Sequence, residues 1–372
     1  MQKDKFNHHI LLLQGGGALG AYQAGVYEGL AEAGRAPDWV VGISIGAVNS
    51  ALIAGNPPER RVERLRAFWD RVSSYAPMSL PAWLNPMRPT LNHLSAMAVV
   101  TFGIPGFFAP RFVPPFFALD GSPDALSFYD TAPLKSTLEK LVDFDRINRQ
   151  EMRLSLGAVN VRTGASVYFD NQHTRIGPDH VLASGALPPG FPPVTIEGEQ
   201  YWDGGVLSNS PLWYVFDAAP LRSAFILAVD LFSAQGELPR NLDQVLERAK
   251  DIQYASKQRF TTDRIRELAE WFAALGRVLA KLPPELQDDP DVRKLALLGE
   301  DRNITLVHLL NRHPSVSSQT KDYEFSRATV TEAWAAGLDD VRRSIATLDS
   351  IPPTAELGLG MRLYHLPQDL SK

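Results

Sequence analysis

A serine between two glycines is the residue in this sequence best suited to act as a nucleophile. Ser44 lies in Gly42-Ile43-Ser44-Ile45-Gly46, after the apolar residues 39–41 and before the small residues 46–51. This pattern is typical of a sharp strand-to-helix turn that exposes the serine hydroxyl, with Gly42 and Gly46 leaving room for a strained backbone. It predicts acyl transfer through Ser44, and a plain tight turn with a solvated serine is the alternative interpretation.

A glycine-rich turn near the start of the chain supplies what such a nucleophile needs next. The apolar run Ile10–Leu13 predicts a buried strand, and Gln14-Gly15-Gly16-Gly17-Ala18-Leu19-Gly20 predicts a turn into a helix. Backbone N–H groups at the N-terminus of a helix stabilise negative charge. The turn therefore predicts a site for the oxyanion that forms when the serine attacks an ester.

The same turn also matches a dinucleotide-binding pattern, Gly15-x-Gly17-x-x-Gly20. That function requires an acidic residue at the end of the second strand, roughly 20 residues on, to bind a ribose hydroxyl. The second predicted strand, residues 39–43, ends in Ile43, and Asp38 lies at its start. Because the carboxylate is at the wrong end of the strand, the cofactor interpretation is rejected. A purely structural turn stays compatible with an oxyanion role.

A carboxylate that could act as the base for Ser44 stands in Tyr201-Trp202-Asp203-Gly204-Gly205. By itself, Asp-Gly-Gly is an ordinary turn. Together with the glycine-rich turn and the serine motif, however, it makes the chain resemble the patatin-like phospholipase family. Residues 183–193 are similar to the proline-bearing block of that family, and Asn209-Ser210-Pro211 follows Asp203 as it does there.

The resemblance covers residues 8–232 and implies a serine lipid acyl hydrolase of the phospholipase A, lysophospholipase or esterase type. Ser44 and Asp203 would form a catalytic dyad that acts through an acyl-enzyme, without a cofactor. The oxyanion hole would consist of the N–H groups of Gly15, Gly16, Gly17 and Ala18. Five further glycines would support the motifs: Gly20, Gly42, Gly46, Gly204 and Gly205. The family usually has Arg or Lys where this chain has Leu19, so the oxyanion would depend on backbone groups alone.

Other functions and another mechanism fit some of the same residues. An acyltransferase would use the same dyad with an alcohol in place of water. A catalytically silent scaffold would keep only the fold, which Leu19 favours and the intact Ser44–Asp203 pair opposes. A histidine-based triad would combine Ser44, Asp203 or Asp230, and His308. Such enzymes usually have several strands before the nucleophile, whereas only one fits before residue 39 here.

The composition argues against several classes of function. A net charge of −5 and a pI near 5.9 argue against a nucleic-acid partner. The absence of cysteine excludes thiolate catalysis and zinc–sulfur sites, and the histidines lack metal-ligand spacing, so we expect no metal.

Residues 10–13 are too short an apolar run for a signal peptide, and no apolar run reaches 18 residues. We therefore expect a cytoplasmic protein that acts on acyl-ester lipids, with at most transient contact with a membrane surface.

Alternating strand and helix signals up to residue 232 predict an α/β fold with a mainly parallel central sheet. The resemblance adds a three-layer patatin-like arrangement, with helices on both faces of the sheet. After a linker at residues 233–242, apolar residues recur at helical spacing, and one late strand is predicted at residues 303–309. We thus predict a catalytic domain over residues 8–232 and a mostly helical C-terminal extension over residues 233–372, packed on it.

Residues 101–119 contain six phenylalanines and four prolines. The prolines exclude a regular helix. The segment is either a long loop anchored to the core by its rings or an apolar lid that receives an acyl chain, and both interpretations can hold at once. If the second holds, we expect Phe107 and Phe108 to contact the chain.

Overall fold

The computed structural model describes residues 6–73, 88–218, 223–298, 303–312, 320–351 and 361–366. Up to residue 230, strands and helices alternate as the sequence predicts. In chain order these elements are β1 (His8–Leu13), α1 (Gly20–Glu32), β2 (Trp39–Ile43), α2 (Ile45–Ala54), α3 (Arg61–Val72), α4 (Arg88–Phe102), β3 (Ala109–Pro110), β4 (Tyr129–Asp130), α5 (Ala132–Leu141), α6 (Phe144–Asn148), β5 (Arg153–Asn160), β6 (Ser166–Asp170), α7 (Pro178–Ser184), β7 (Val194–Ile196), β8 (Glu199–Asp203), α8 (Leu212–Ala218) and β9 (Ser223–Asp230).

The C-terminal part of the chain is dominated by two long helices and adds two strands. Its elements are α9 (Leu242–Leu279), α10 (Pro284–Gln287), α11 (Pro290–Leu298), β10 (Asn303–Leu310), α12 (Arg327–Ser350) and β11 (Met361–Leu366). The sequence predicted only one strand here and did not reveal β11. Within the described ranges, no helix is both long and apolar enough to cross a membrane.

The described strands, apart from the short β3–β4 pair, form one sheet in the order β11-β10-β9-β1-β2-β5-β8-β7, with β6 also on β5. The pairs from β11 to β5 are parallel, and β6, β7 and β8 join antiparallel. The mainly parallel sheet is therefore confirmed. Because the sheet runs on from β9 into β10 and β11, the C-terminal part extends it, and the division at residue 232 stays a prediction.

Both faces of the sheet are covered, as side-chain alternation along β1 shows. Leu11 and Leu13 belong to a large core with α1, α2, α3, α7 and α12, whereas Ile10 and Leu12 belong to a second core with α8 and α9. Strands with apolar residues on both faces must be buried between two layers of helices. This arrangement confirms the predicted three-layer α/β fold.

Helices α1 and α12 pack at backbone contact, through glycines on each helix. A β-carbon at Gly25 would overlap the carbonyl oxygen of Trp334, and one at Gly337 would overlap the carbonyl oxygen of Tyr22. Alongside, the Tyr22 hydroxyl donates a hydrogen bond of 2.7 Å to Asp340. This contact fixes the C-terminal helix on the helix that follows the glycine-rich turn.

Replacing Gly25 by Ala is expected to destabilise the protein, although Ala favours a helix more than Gly does. The added methyl group must displace backbone rather than a mobile side chain, so we expect a loss of about 1–3 kcal/mol in the free energy of unfolding. Urea denaturation followed by circular dichroism measures this change. The control is Gly236→Ala, where the new β-carbon would meet only the Arg248 side chain. Equal stability of the two variants would contradict this account of the packing.

Candidate active site

The ends of two strands meet on one edge of β5, and this brings Ser44 and Asp203 together. Strand β2 is parallel to β5 and ends with Ile43 opposite Gly157. Strand β8 is antiparallel to β5 and ends with Asp203 opposite Ala158, the next residue along. The other edge of β5 is occupied by β6. Ser44 and Asp203, 159 positions apart in the chain, are thus neighbours because of the strand register.

Ser44 has a strained backbone that the surrounding structure supports. Its φ of 57° lies in the left-handed region, which side chains other than glycine rarely adopt. Its N–H donates to both the carbonyl oxygen and the hydroxyl oxygen of Ser184, each at 3.1 Å. The Ser184 hydroxyl in turn donates to the carbonyl of Gly157 at 2.6 Å. The turn is therefore tied to α7 and β5.

The flanking glycines of the serine motif are needed for space. A β-carbon at Gly42 would overlap the carbonyl group of Gly46, and one at Gly46 would overlap the carbonyl of Leu13. The turn is thus compact enough to bring α2 directly against β1 and the glycine-rich loop that follows it. The predicted strand-turn-helix geometry around Ser44 is present.

Asp203 is a buried carboxylate, only 1% exposed, and the end of β8 places it beside Ser44. It also accepts a 2.7 Å hydrogen bond from the Gly205 N–H. Removal from water raises the pKa of Asp203 to about 7, even though the Ser44 side chain and the Gly205 N–H act in the opposite direction. The carboxylate can therefore accept a proton near neutral pH.

The glycine-rich loop lies directly beside Ser44. A β-carbon at Gly15 would be 2.9 Å from the β-carbon of Ser44. The Gly15 carbonyl accepts a 2.8 Å hydrogen bond from the Asn209 side-chain amide. Asn209 and Ser184 lie in sequence blocks that carry the family resemblance, but the sequence did not assign either of them a role.

The four expected oxyanion donors are not equivalent. The Ala18 N–H donates a 2.8 Å hydrogen bond to the carbonyl of Asp322, so it is already engaged. For Gly15, Gly16 and Gly17, the described part of the chain contains no acceptor bonded to the N–H. Leu19, at 2% exposure, is packed in the core and brings no charge to the loop.

His308 lies elsewhere in the sheet and does not join the pair. It stands on β10, which β9 and β1 separate from β2. Its Nδ1 is 2.7 Å from an Asp230 carboxylate oxygen, and its Nε2 is 3.4 Å from the Thr262 hydroxyl. The triad through His308 is therefore not the arrangement present. Among the described residues, no group of three or more acidic or histidine side chains could hold a metal ion.

The phenylalanine-rich segment divides into anchored and exposed rings. Phe107 and Phe108 are buried and pack against Phe191, with ring centroids 6.2 and 5.1 Å away. They anchor the loop to the core, and their contact with an acyl chain stays a prediction. Phe112, Phe116 and Phe117 are instead between 82 and 101% exposed.

The loop that carries these rings is joined to the block that follows α7. The N–H of Phe128 donates to Pro189 at 3.2 Å, and that of Tyr129 donates to Gly190 at 3.0 Å. A few residues earlier, the carbonyl of Ala186 accepts a 3.0 Å hydrogen bond from the Asp203 N–H. Residues 186–190 thus connect the exposed rings with the candidate active site.

The solved structures that match this protein have low sequence identity and TM-scores below 0.5. VipD from Legionella pneumophila is 15% identical, with 91% of this chain and 67% of that chain covered and a TM-score of 0.39. The type III effector protein ExoU is 12% identical, with 92% and 54% covered and a TM-score of 0.35. The complex of SpcU with ExoU from Pseudomonas aeruginosa is 17% identical, with 78% of this chain and 60% of that chain covered and a TM-score of 0.30. This chain spans 54 to 67% of the length of those proteins.

Family models give a direct assignment. No curated protein matches the sequence significantly. A model described as patatin-like phospholipase matches residues 11–216, which is more than half of the chain and includes both Ser44 and Asp203. A second model, described as patatin phospholipase, matches residues 252–355 in the C-terminal part. The chain therefore belongs to the patatin-like phospholipase family.

Proposed function

We propose that this protein is a serine lipid acyl hydrolase in which Ser44 is the nucleophile and Asp203 is its base. The observation that carries the proposal is the meeting of β2 and β8 on one edge of β5, which places the buried Asp203 carboxylate beside Ser44. Burial also raises the pKa of this carboxylate to about 7. A base is most effective when its pKa lies near the working pH, so Asp203 is suited to take the serine proton without a histidine between them.

In the proposed reaction, the Ser44 oxygen attacks the acyl carbonyl carbon while its proton moves to Asp203. The N–H groups of Gly15, Gly16 and Gly17 stabilise the negative charge on the carbonyl oxygen. The tetrahedral intermediate then expels the alcohol, which takes the proton from Asp203, and an acyl-enzyme is left. Water attacks the acyl-enzyme, again giving its proton to Asp203, and Ser44 leaves with that proton as the fatty acid is released.

Apolar side chains at the edge of the dyad support a lipid acyl group as substrate. Leu187 follows the carbonyl that binds the Asp203 N–H, and Val206 and Leu207 follow the glycine that binds its carboxylate. These three side chains are between 39 and 44% exposed. An acyl chain that covered them would gain about 25 cal/mol for each Å² of apolar surface removed from water.

Replacement of Ser44 by Ala is expected to lower kcat for p-nitrophenyl butyrate by about 1,000-fold or more, because it removes the covalent route. The matched control is Ser50→Ala on α2, the helix that follows Ser44; Ser50 has a buried hydroxyl without a hydrogen-bond partner in the described structure. In the presence of excess glycerol, a hydrolase should release free fatty acid, whereas an acyltransferase should form the glycerol ester. Retained activity in Ser44→Ala would rule out this nucleophile.

The pH dependence of hydrolysis is expected to follow Asp203. Because only the ionised carboxylate can accept the proton, kcat/KM should rise with pH to a plateau, with an apparent pKa near 7. At pH 5 the rate should be about 100-fold below the plateau. Asp203→Asn should remove this dependence together with most of the activity. A wild-type profile that is flat between pH 5 and 8 would contradict the assignment of the base.

Asp203 should also make stability depend on pH, and this effect can be measured without a substrate. Since the folded state raises its pKa from 3.8 to about 7, the folded protein binds this proton more tightly than the unfolded chain. The contribution of Asp203 to the free energy of unfolding is therefore fully present below pH 3.8 and is lost as the pH rises through 7. We expect Asp203→Asn to raise Tm relative to wild type more at pH 8.5 than at pH 5. An equal difference at both pH values would mean that the carboxylate is not desolvated.

We further propose that the exposed rings of Phe112, Phe116 and Phe117 contact the surface of a lipid aggregate while the substrate enters. Their loop is anchored through Phe107 and Phe108 and is bonded to the block beside the dyad, so this contact would place the dyad near the lipid. The contact would be peripheral and transient, and cytoplasmic residence stays a prediction of the sequence.

Replacing the three exposed rings by Ser tests this contact. We expect hydrolysis of phosphatidylcholine vesicles to fall at least about 10-fold, because apolar surface no longer enters the lipid. Hydrolysis of soluble p-nitrophenyl acetate should be unchanged. Phe260→Ser is the control, since Phe260 is a 75% exposed ring on α9 outside this segment. Equal losses on both substrates would leave the rings with only a structural role.

A further inference from the structure

A turn from the C-terminal part of the chain contacts the glycine-rich loop beside Ser44. Residues 320–323 form this turn, which is closed by a 2.9 Å hydrogen bond from the Tyr323 N–H to the Thr320 carbonyl. The carbonyl of Asp322, at the tip of the turn, accepts the Ala18 N–H at 2.8 Å. A β-carbon at Gly17 would overlap this same carbonyl oxygen. The two segments thus meet backbone to backbone.

Two lysines hold the turn on helix α9. Lys250, on the helix, places its Nζ 2.6 Å from the Asp322 carboxylate. Lys321, on the turn, places its Nζ 2.6 Å from Asp251 and 3.2 Å from Glu247. The side chains of this second group are only 10 to 14% exposed, so water and salt screen them less than they screen surface ion pairs. The Asp322 carbonyl is therefore fixed from the side of α9.

The chain that leaves the turn is also fixed. Phe325 stacks on Trp69, with ring centroids 6.2 Å apart, and contacts Phe107 at 5.7 Å. Ser326 then caps α12 by accepting a hydrogen bond from the Thr329 N–H. Since α12 packs on α1 through Gly25 and Gly337, the turn is part of a rigid connection rather than a free loop end.

A rigid neighbour matters because the glycine-rich loop has little to fix it internally. Three consecutive glycines have wide backbone freedom, and Gly17 adopts a φ of 55°. An oxyanion site is effective only when its N–H groups are held in place before the reaction. With Leu19 in the core, no cationic side chain of the loop itself can assist.

We propose that Lys250 and Lys321 are positioning residues for the oxyanion site. They keep the Asp322 carbonyl on the Ala18 N–H and thereby orient the N–H groups of Gly15, Gly16 and Gly17 beside Ser44. The C-terminal part of the chain is then required for catalysis and not only for stability. This inference rests on the proposed hydrolase function.

The principal test is Lys250→Met, which keeps an unbranched side chain of similar size and removes its charge. We expect kcat for p-nitrophenyl butyrate to fall about 10- to 100-fold while KM changes less than about twofold, because orientation of the oxyanion donors acts on the transition state. Lys250→Arg should restore most of kcat. Asp322→Asn, which removes the other charge of the pair, should resemble Lys250→Met. The matched control is Arg264→Met, which breaks an exposed pair with Glu267 on the same helix.

Hydrogen exchange of the peptide containing Ala18 gives a second readout that needs no activity. In Lys250→Met it should exchange faster than in wild type, whereas in Arg264→Met it should not. Unchanged exchange would overturn the role of Lys250. Faster exchange with unchanged or higher kcat would also overturn the proposal, since the contact would then be neutral or inhibitory. If the wild-type protein showed no Ser44-dependent hydrolysis, both the proposed function and the positioning role would be wrong. If the wild type were active and Lys250→Met equally active, only the positioning role would be wrong.

Discussion

The meeting of β2 and β8 on a single edge of β5 is the constraint on which the rest of this structure depends. One strand arrives parallel and the other antiparallel, and together they use consecutive register positions, Gly157 and Ala158. A slip of one residue in either strand would turn its side chains to the opposite face. The position of Asp203 relative to Ser44 is thus as well determined as the sheet itself. It requires no long or flexible side chain to bridge a gap.

The same arrangement places two unfavourable features side by side. A buried carboxylate with a raised pKa and a serine with positive φ each cost free energy that other contacts must offset. The compensation is spread over the molecule: β5 is buried along nearly all of its length, and the helices on each face of the sheet form their own core. The strained turn is also bonded directly to α7 through Ser184. Local strain is tolerated because its surroundings are unusually well connected.

Local features of this chain could be predicted from the sequence, whereas contacts between distant segments could not. The turn at Ser44 and strand β2 follow from glycine sterics and apolar patterning, which act over a few residues. Asp203 was identified through the resemblance to a known family, because the sequence Asp-Gly-Gly alone is also typical of an ordinary turn. The engagement of the Ala18 N–H by Asp322 depends on residues 304 positions apart, and nothing near Asp322 marks it. Strand β11 also escaped prediction, since a single edge strand of six residues is a weak pattern.

The position of His308 bears on the proposal that Asp203 is the base for Ser44. In a triad, the imidazole takes the proton and a buried carboxylate stabilises the resulting charge. In this chain the buried His308–Asp230 pair lies two strands away from β2 and is satisfied by its own neighbours. Asp203 instead lies beside Ser44 at the edge of β5, and its desolvation raises its pKa to about 7, into the range where imidazole normally works. In the proposed mechanism, burial takes the place of a third residue: removing water from the Asp203 carboxylate gives it the proton affinity that a triad obtains from its imidazole.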